Sequence, residues 1–175
     1  MKKLLSIAAS LVLVMLVGCS TVTQDIEVSA ESDPKVSFTG YKTYTWLGAA
    51  AIVFDEAGRW EPPKFDADTE IKFYIDKELR ARGMSESTSS PDLVVAFAAG
   101  IDMDNIEFVK NAETQLETLK NIPKGALMIV LVDANSGQPL WVGAAAADLQ
   151  ENADIATAKI RLEYAVTEMF KKLPK

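Results

Sequence analysis

The feature that most narrows the fold is the run Leu93-Val94-Val95-Ala96-Phe97-Ala98-Ala99, apolar at every position and entered through Pro91-Asp92. Alternation marks a strand with one wet face; an unbroken apolar run of strand length predicts a central strand. The segments around it read as the layers. Upstream, Ile71, Tyr74, Ile75 and Leu79 recur at helical spacing behind Asp66 and Asp68, acidic residues of N-cap type, and Arg80, Arg82 and Gly83 close the segment as a last turn and C′ glycine do. Downstream, Ala126 to Asp133 is apolar, Asn135-Ser136-Gly137-Gln138 supplies turn chemistry, and Pro139 to Gly143 starts the return of a β-hairpin.

Two further elements frame this centre. Tyr41, Tyr44, Thr45 and Trp46 make Phe38 to Leu47 a strand with a packed face, continuing as strand or loop through the apolar run Ala49 to Phe54 before the Pro62-Pro63 break. From about Asn152 to Leu173 a stripe of Ile155, Ala158, Leu162, Val166, Met169 and Leu173 predicts the second helix, with Pro174 as its stop. Residues 102–121 fit neither period well and read as an irregular excursion with some helix, ended by Pro123. The order strand, helix, strand, excursion, hairpin, helix predicts a two-layer α/β sandwich: a mixed or antiparallel sheet of about 4–6 strands with two main helices on one face. The globular domain is placed at 36–175.

The N-terminus carries a different signal. Lys2 and Lys3 precede an almost wholly apolar stretch from Leu4 to Val17, too short to span a bilayer well, and small residues follow. Leu16-Val17-Gly18-Cys19 resembles the signal box of bacterial lipoproteins, in which the chain is cleaved before the cysteine and lipid is added to its sulfur and its new amino group. The resemblance implies a signal peptide at 1–18, cleavage between Gly18 and Cys19, and palmitate-type lipidation of Cys19. The alternative is a free thiol behind an ordinary leader. Ser20 stands where lipoproteins kept in the inner membrane carry Asp, so the expected location is the outer membrane, on its periplasmic face. Residues 19–35 read as the lipidated cysteine and a polar tether, with Ile26 and Val28 leaving room for a short strand instead.

Composition removes most catalytic chemistry. The 175 residues contain no His and one Cys, which excludes a Ser-His-Asp triad, a Cys-His pair, an HExxH zinc helix and an intrachain disulfide. No GxSxG elbow, GxGxxG turn or phosphate loop occurs. Lys and Arg number 18 against 25 acidic residues, a net charge of −7; without residues 1–18, and so without Lys2 and Lys3, it is −9. That balance argues against a nucleic-acid partner.

Five short motifs resemble bacterial lipoproteins of the domain of unknown function family 4136. They are Tyr41-Lys42-Thr43-Tyr44-Thr45-Trp46, the helix end Leu79-Arg80-Ala81-Arg82-Gly83, Asp92-Leu93-Val94-Val95, the stretch Gly125 to Asp133, and Leu140-Trp141-Val142-Gly143-Ala144. Relatives commonly carry Arg between the last Trp and Gly, where this chain has Val142. The resemblance implies an α/β domain of the kind found in small envelope lipoproteins and assigns no activity.

Candidate sites are few. Asp102, Asp104, Asn105 and Glu107 look like a fragment of a calcium loop but lack the Gly that such a loop needs at its sixth position, where Glu107 stands, and a third acid at its fifth, where Ile106 stands, and are expected to form a solvated turn. No metal or cofactor is expected. Phe54, Arg59, Trp60 and Phe65 form an aromatic loop of hot-spot composition, and Ile160 and Tyr164 fall on the outer face of the last helix; together they are the expected partner surface. The reading is a non-enzymatic envelope lipoprotein whose partners are the membrane, through Cys19, and an envelope protein, peptidoglycan or lipid. The alternative is a hydrolase working with paired carboxylates.

Overall fold

The computed structural model describes residues 22–61, 63–110, 115, 117–150 and 153–175; the leader and Cys19 lie outside them. In chain order the elements are β1 (Glu27–Ser32), β2 (Thr43–Phe54), α1 (Ala67–Ala81), β3 (Ser85–Glu86), β4 (Leu93–Asp102), β5 (Ile106–Lys110), β6 (Glu117–Asn121), β7 (Lys124–Asp133), β8 (Pro139–Asp148) and α2 (Ile155–Lys171). Six strands make one mixed sheet in the order β1-β8-β7-β4-β2-β3, with β2 parallel to both β3 and β4 and the other pairs antiparallel.

The two helices cover one face. Leu93, Val95 and Phe97 of β4, Leu127, Ile129 and Leu131 of β7, and Trp141 of β8 point into the core, where they meet Ile71, Ile75 and Leu79 of α1 and Val166, Met169 and Phe170 of α2. Local chemistry sets the helix limits. The Asp66 carboxylate accepts from Thr69 N at 3.1 Å and the Asp154 carboxylate from Thr157 N at 2.7 Å, each satisfying a free donor of a first turn. Gly83 follows α1 at φ +81°, the left-handed step that ends the helix. The Arg82 side chain then reaches across to α2, donating to the carbonyls of Phe170 at 2.5 Å and Leu173 at 3.1 Å.

The expected central strand is β4, flanked by β2 and β7. Among the described residues, no further layer covers its second face. Val94, Ala96, Ala98, Met128, Val130, Val132, Val142 and Ala144 share that face by register, and among them Met128 is 44% exposed. Within residues 19–35 the strand option is realised as β1, which pairs antiparallel with β8 from Glu27↔Ala146 to Ser32↔Trp141. The helical content expected in 102–121 is corrected: β5 and β6 form a two-stranded antiparallel ribbon with Phe108 opposite Leu119. Ile106 and Phe108 alternate as strand residues do and find their partners Asn121 and Leu119 in β6, so pairing overrides the loose helical spacing of Ile106 with Val109.

Candidate interaction surface

Residues 22–25 are tied to the far end of the chain. Arg161, on α2, donates to the Val22 carbonyl, makes a two-pronged contact with the Asp25 carboxylate at 2.7 and 2.6 Å, and donates to the Asp148 carbonyl at 3.0 Å. Its side chain is only 11% exposed, so the pair works in a setting drier than the surface. These hydrogen bonds hold the Asp25 carboxyl below its ordinary range. Asp25 also accepts from Asp148 N at 3.0 Å. From there the chain of contacts runs on: Lys124 bonds Asp148 at 2.5 Å and Glu107 of β5 at 3.1 Å. Hydrogen bonds to Asp148 and Glu107 raise the Lys124 pKa. The N-terminal strap, the ends of β8 and β7 and the base of the ribbon are thus one connected cluster.

The ribbon projects from this end of the sheet and packs chiefly on itself. Register puts Ile106, Phe108 and Leu119 on one of its faces, 64%, 73% and 62% exposed. Phe54 closes β2 at the same end, opposite Asp102, and is 65% exposed. The loop after it is fastened to the β4–β5 turn. Arg59 pairs with Asp104 at 2.7 Å and donates to the Met103 carbonyl, Glu56 N donates to Asp104 at 3.0 Å, and Trp60 N donates to Asp55 at 2.6 Å. Asp104 therefore serves as a structural acceptor for this loop, and Asp102 accepts from Asp104 N at 2.9 Å.

Of the residues expected at a partner surface, Phe54 and Arg59 are exposed, Trp60 and Phe65 half-buried, and Ile160 and Tyr164 exposed on α2. Phe54, Arg59 and Trp60 come together through the β4–β5 turn. Ile160 and Tyr164 do not join them, because α2 packs over β8 and β1, on the other side of the sheet from β2. Gly18 and Cys19 lie outside the described residues. The apolar ribbon escaped the sequence reading although its signal was present, in the alternation of Ile106 and Phe108.

A second feature the sequence reading missed is the free edge of β2. β3 pairs with Thr43 and Tyr44, so that among the described residues Leu47–Phe54 is paired on the β4 side alone. The Phe54 carbonyl accepts from Met103 N on that side, so by alternation Ala49, Ala51 and Val53 turn their backbone groups outward. Beside this edge lies a shallow open cleft lined by Trp46, Thr69, Lys72, Phe73, Asp76, Arg80 and Glu86. Its polar groups are largely spent on one another. Asp76 accepts from Tyr44 Oη and pairs with Arg80 at 2.6 Å, while Lys72 stands 5.9 Å above the Trp46 ring. Burial and the Asp76 carboxylate push the Tyr44 pKa up.

The chain is similar to several solved proteins, and with one of them, a member of the DUF4136 family, it shares the fold. A DUF4136 family protein from Bacteroides thetaiotaomicron is 13% identical with a TM-score of 0.52, over 85% of this chain and 95% of that one. A PDZ domain protein from Parabacteroides distasonis is 18% identical with a TM-score of 0.48 over 86% of this chain, which spans only 36% of that protein. A minor lipoprotein from Acinetobacter baumannii is 11% identical with a TM-score of 0.39, over 77% of this chain and 93% of that one. Comparison with the curated proteins finds no match. The model of the family described as domain of unknown function DUF4136 matches residues 28–175, from β1 through the last residue, and the chain belongs to that family.

Proposed function

We propose that this chain is an envelope lipoprotein of the outer membrane, attached through lipid on Cys19, whose periplasm-facing domain works by binding or assembly and not by catalysis. The observation that carries the reading is where the lipoprotein box ends. Cys19 lies three residues before Val22, and from Val22 on the chain is clamped by Arg161. Three residues reach at most about 11 Å. A lipid there holds the domain against the bilayer instead of on a long leash.

Attachment rests on the lipid in this reading, since among the described residues no helix is long and apolar enough to cross a membrane. Each buried methylene contributes about 0.8 kcal/mol, so one acyl chain anchors marginally and several anchor stably. Binding is supported by the unpaired β2 edge and the apolar sheet face, both of which are templates for a partner. Asp76 in the cleft points the same way, because it is engaged by Tyr44 and Arg80.

The test is fractionation of cells producing the full chain, with and without Cys19→Ala. Wild type is expected in the outer-membrane fraction and Cys19→Ala in the soluble periplasm. A Cys19→Ala chain that still sediments with membranes contradicts the anchor.

A further inference from the structure

We infer that the β5–β6 ribbon is a second membrane contact, seated in the lipid interface through Ile106, Phe108 and Leu119. The inference rests on the anchor at Cys19 and adds which surface the anchor presses to the bilayer. Its argument is geometric. The chain outside the described residues ends at Val22, and Val22 connects through Arg161, Asp25, Asp148 and Lys124 to Glu107 on the ribbon itself. Whatever holds residue 19 at a membrane therefore brings that same end of the sheet to it.

This is the end where the molecule shows its most exposed cluster of large apolar side chains. The three ribbon residues sit on one face by register, and Phe54 ends β2 beside the point where the ribbon leaves β4. The same face carries Lys110 opposite Glu117 at the ribbon's outer end, and the opposite face carries Glu107 with Lys120 and Val109 with Thr118, so the apolar patch lies next to the ribbon's base and is bordered by charges. An amphipathic element of this kind lies in the interface with its apolar face among the acyl chains and its charges in water. Backbone groups at the ribbon's two outer edges stay at headgroup depth, where water satisfies them; a deeper, spanning position is closed to an open two-stranded ribbon. The charges around the ribbon are balanced, Asp104 with Arg59 and Glu107 with Lys124, so the contact does not call for a strongly anionic lipid. The far end, with the β7–β8 turn about 30 Å away along β7, faces the periplasm.

The experiment uses the full lipidated chain reconstituted into vesicles of phosphatidylethanolamine and phosphatidylglycerol. A polarity-sensitive fluorophore is placed at Phe108→Cys, and at Asn135→Cys in the β7–β8 turn as the distant control. Flotation with the vesicles reports the anchor. In floated protein the label at 108 is expected to shift to the blue and to be quenched by brominated acyl chains, while the label at 135 stays in water. The variant Ile106→Ser/Phe108→Ser/Leu119→Ser is expected to float as wild type does, with its far end no longer held at a fixed distance from lipid-borne quenchers. Floated protein in which positions 108 and 135 are equally wet overturns the inference and leaves the anchor standing. Failure to float overturns the anchor itself. A label at 108 that is shielded in cell envelopes but untouched by brominated lipid assigns the ribbon to a protein partner, and the lipid contact is then wrong.

Discussion

A methyl group on Gly143 would lie 2.3 Å from Trp141 Cη2 and 3.1 Å from Met169 Sδ, so the indole of β8 lies over a backbone that only glycine can supply. Trp141 is 1% exposed and its ring centroid stands 5.3 Å from that of Phe170, which leaves it no alternative position. Gly143→Ala is therefore expected to lower stability by about 1–3 kcal/mol, the usual cost of forcing extra volume into a packed core. At Gly48 an added Cβ meets nothing within 4 Å, and Gly48→Ala should stay within about 0.5 kcal/mol of wild type. Urea unfolding of the two variants side by side checks both.

The Asp25–Arg161 pair makes the second prediction at this scale, and its sign follows from the direction of the shift. Arg161 holds the Asp25 carboxyl below its ordinary 3.8, so the folded chain binds that proton less readily than the unfolded one. The stability it contributes is present above pH 3.8 and is lost as pH falls through the lower folded value. Asp25→Asn should cost about 2 kcal/mol at neutral pH, the scale of a charge-assisted hydrogen bond lost at a largely buried guanidinium. Its stability should also fall less steeply than wild type as the solution is acidified below that point. A variant with the wild-type acid slope would show that the pair is not linked to folding.

At the scale of elements, legibility followed locality. α1 was readable because cap, stripe and C′ glycine all lie within its own residues: Asp66 caps it, Ile71, Tyr74, Ile75 and Leu79 are buried, and Gly83 ends it. The β7–β8 hairpin was readable for the same reason. β1 was not decidable, because its partner Trp141–Ala146 stands far along the chain and its own residues are mostly polar. The ribbon strands are five residues each, too short for periodicity to separate strand from helix. Ile155, counted in the α2 stripe, is 43% exposed, because α2 begins beyond the edge of the core it covers. For the site, the lipoprotein box was legible as a local motif. The convergence of Val22 with the ribbon base was not, since it runs through Arg161 from the other end of the chain.

The free edge of β2 can be tested as an element. Ala51 turns its N–H outward and Ala98 lies in β4 between two paired neighbours. Proline removes one donor, so Ala51→Pro is expected to leave folding intact and Ala98→Pro to abolish the cooperative unfolding transition. Circular dichroism during thermal unfolding separates the two outcomes. Equal damage from both would mean that the β2 edge is not free.

For the whole molecule, the described residues place the strap that starts at Val22 and the apolar ribbon at one end, a β2 edge and an apolar sheet face along the side, and the β7–β8 turn at the far end. With the lipid proposed at Cys19, such a domain would be oriented by its anchor and its side surfaces left available for assembly. All of this depends on what happens at residue 19. Intact-mass spectrometry of the full-length gene product purified from cell membranes measures it directly. The account predicts a mature chain that begins at Cys19 and carries a diacylglyceryl group and an amide-linked acyl chain. A protein that begins at any other residue, or one with an unmodified Cys19 thiol, would contradict it.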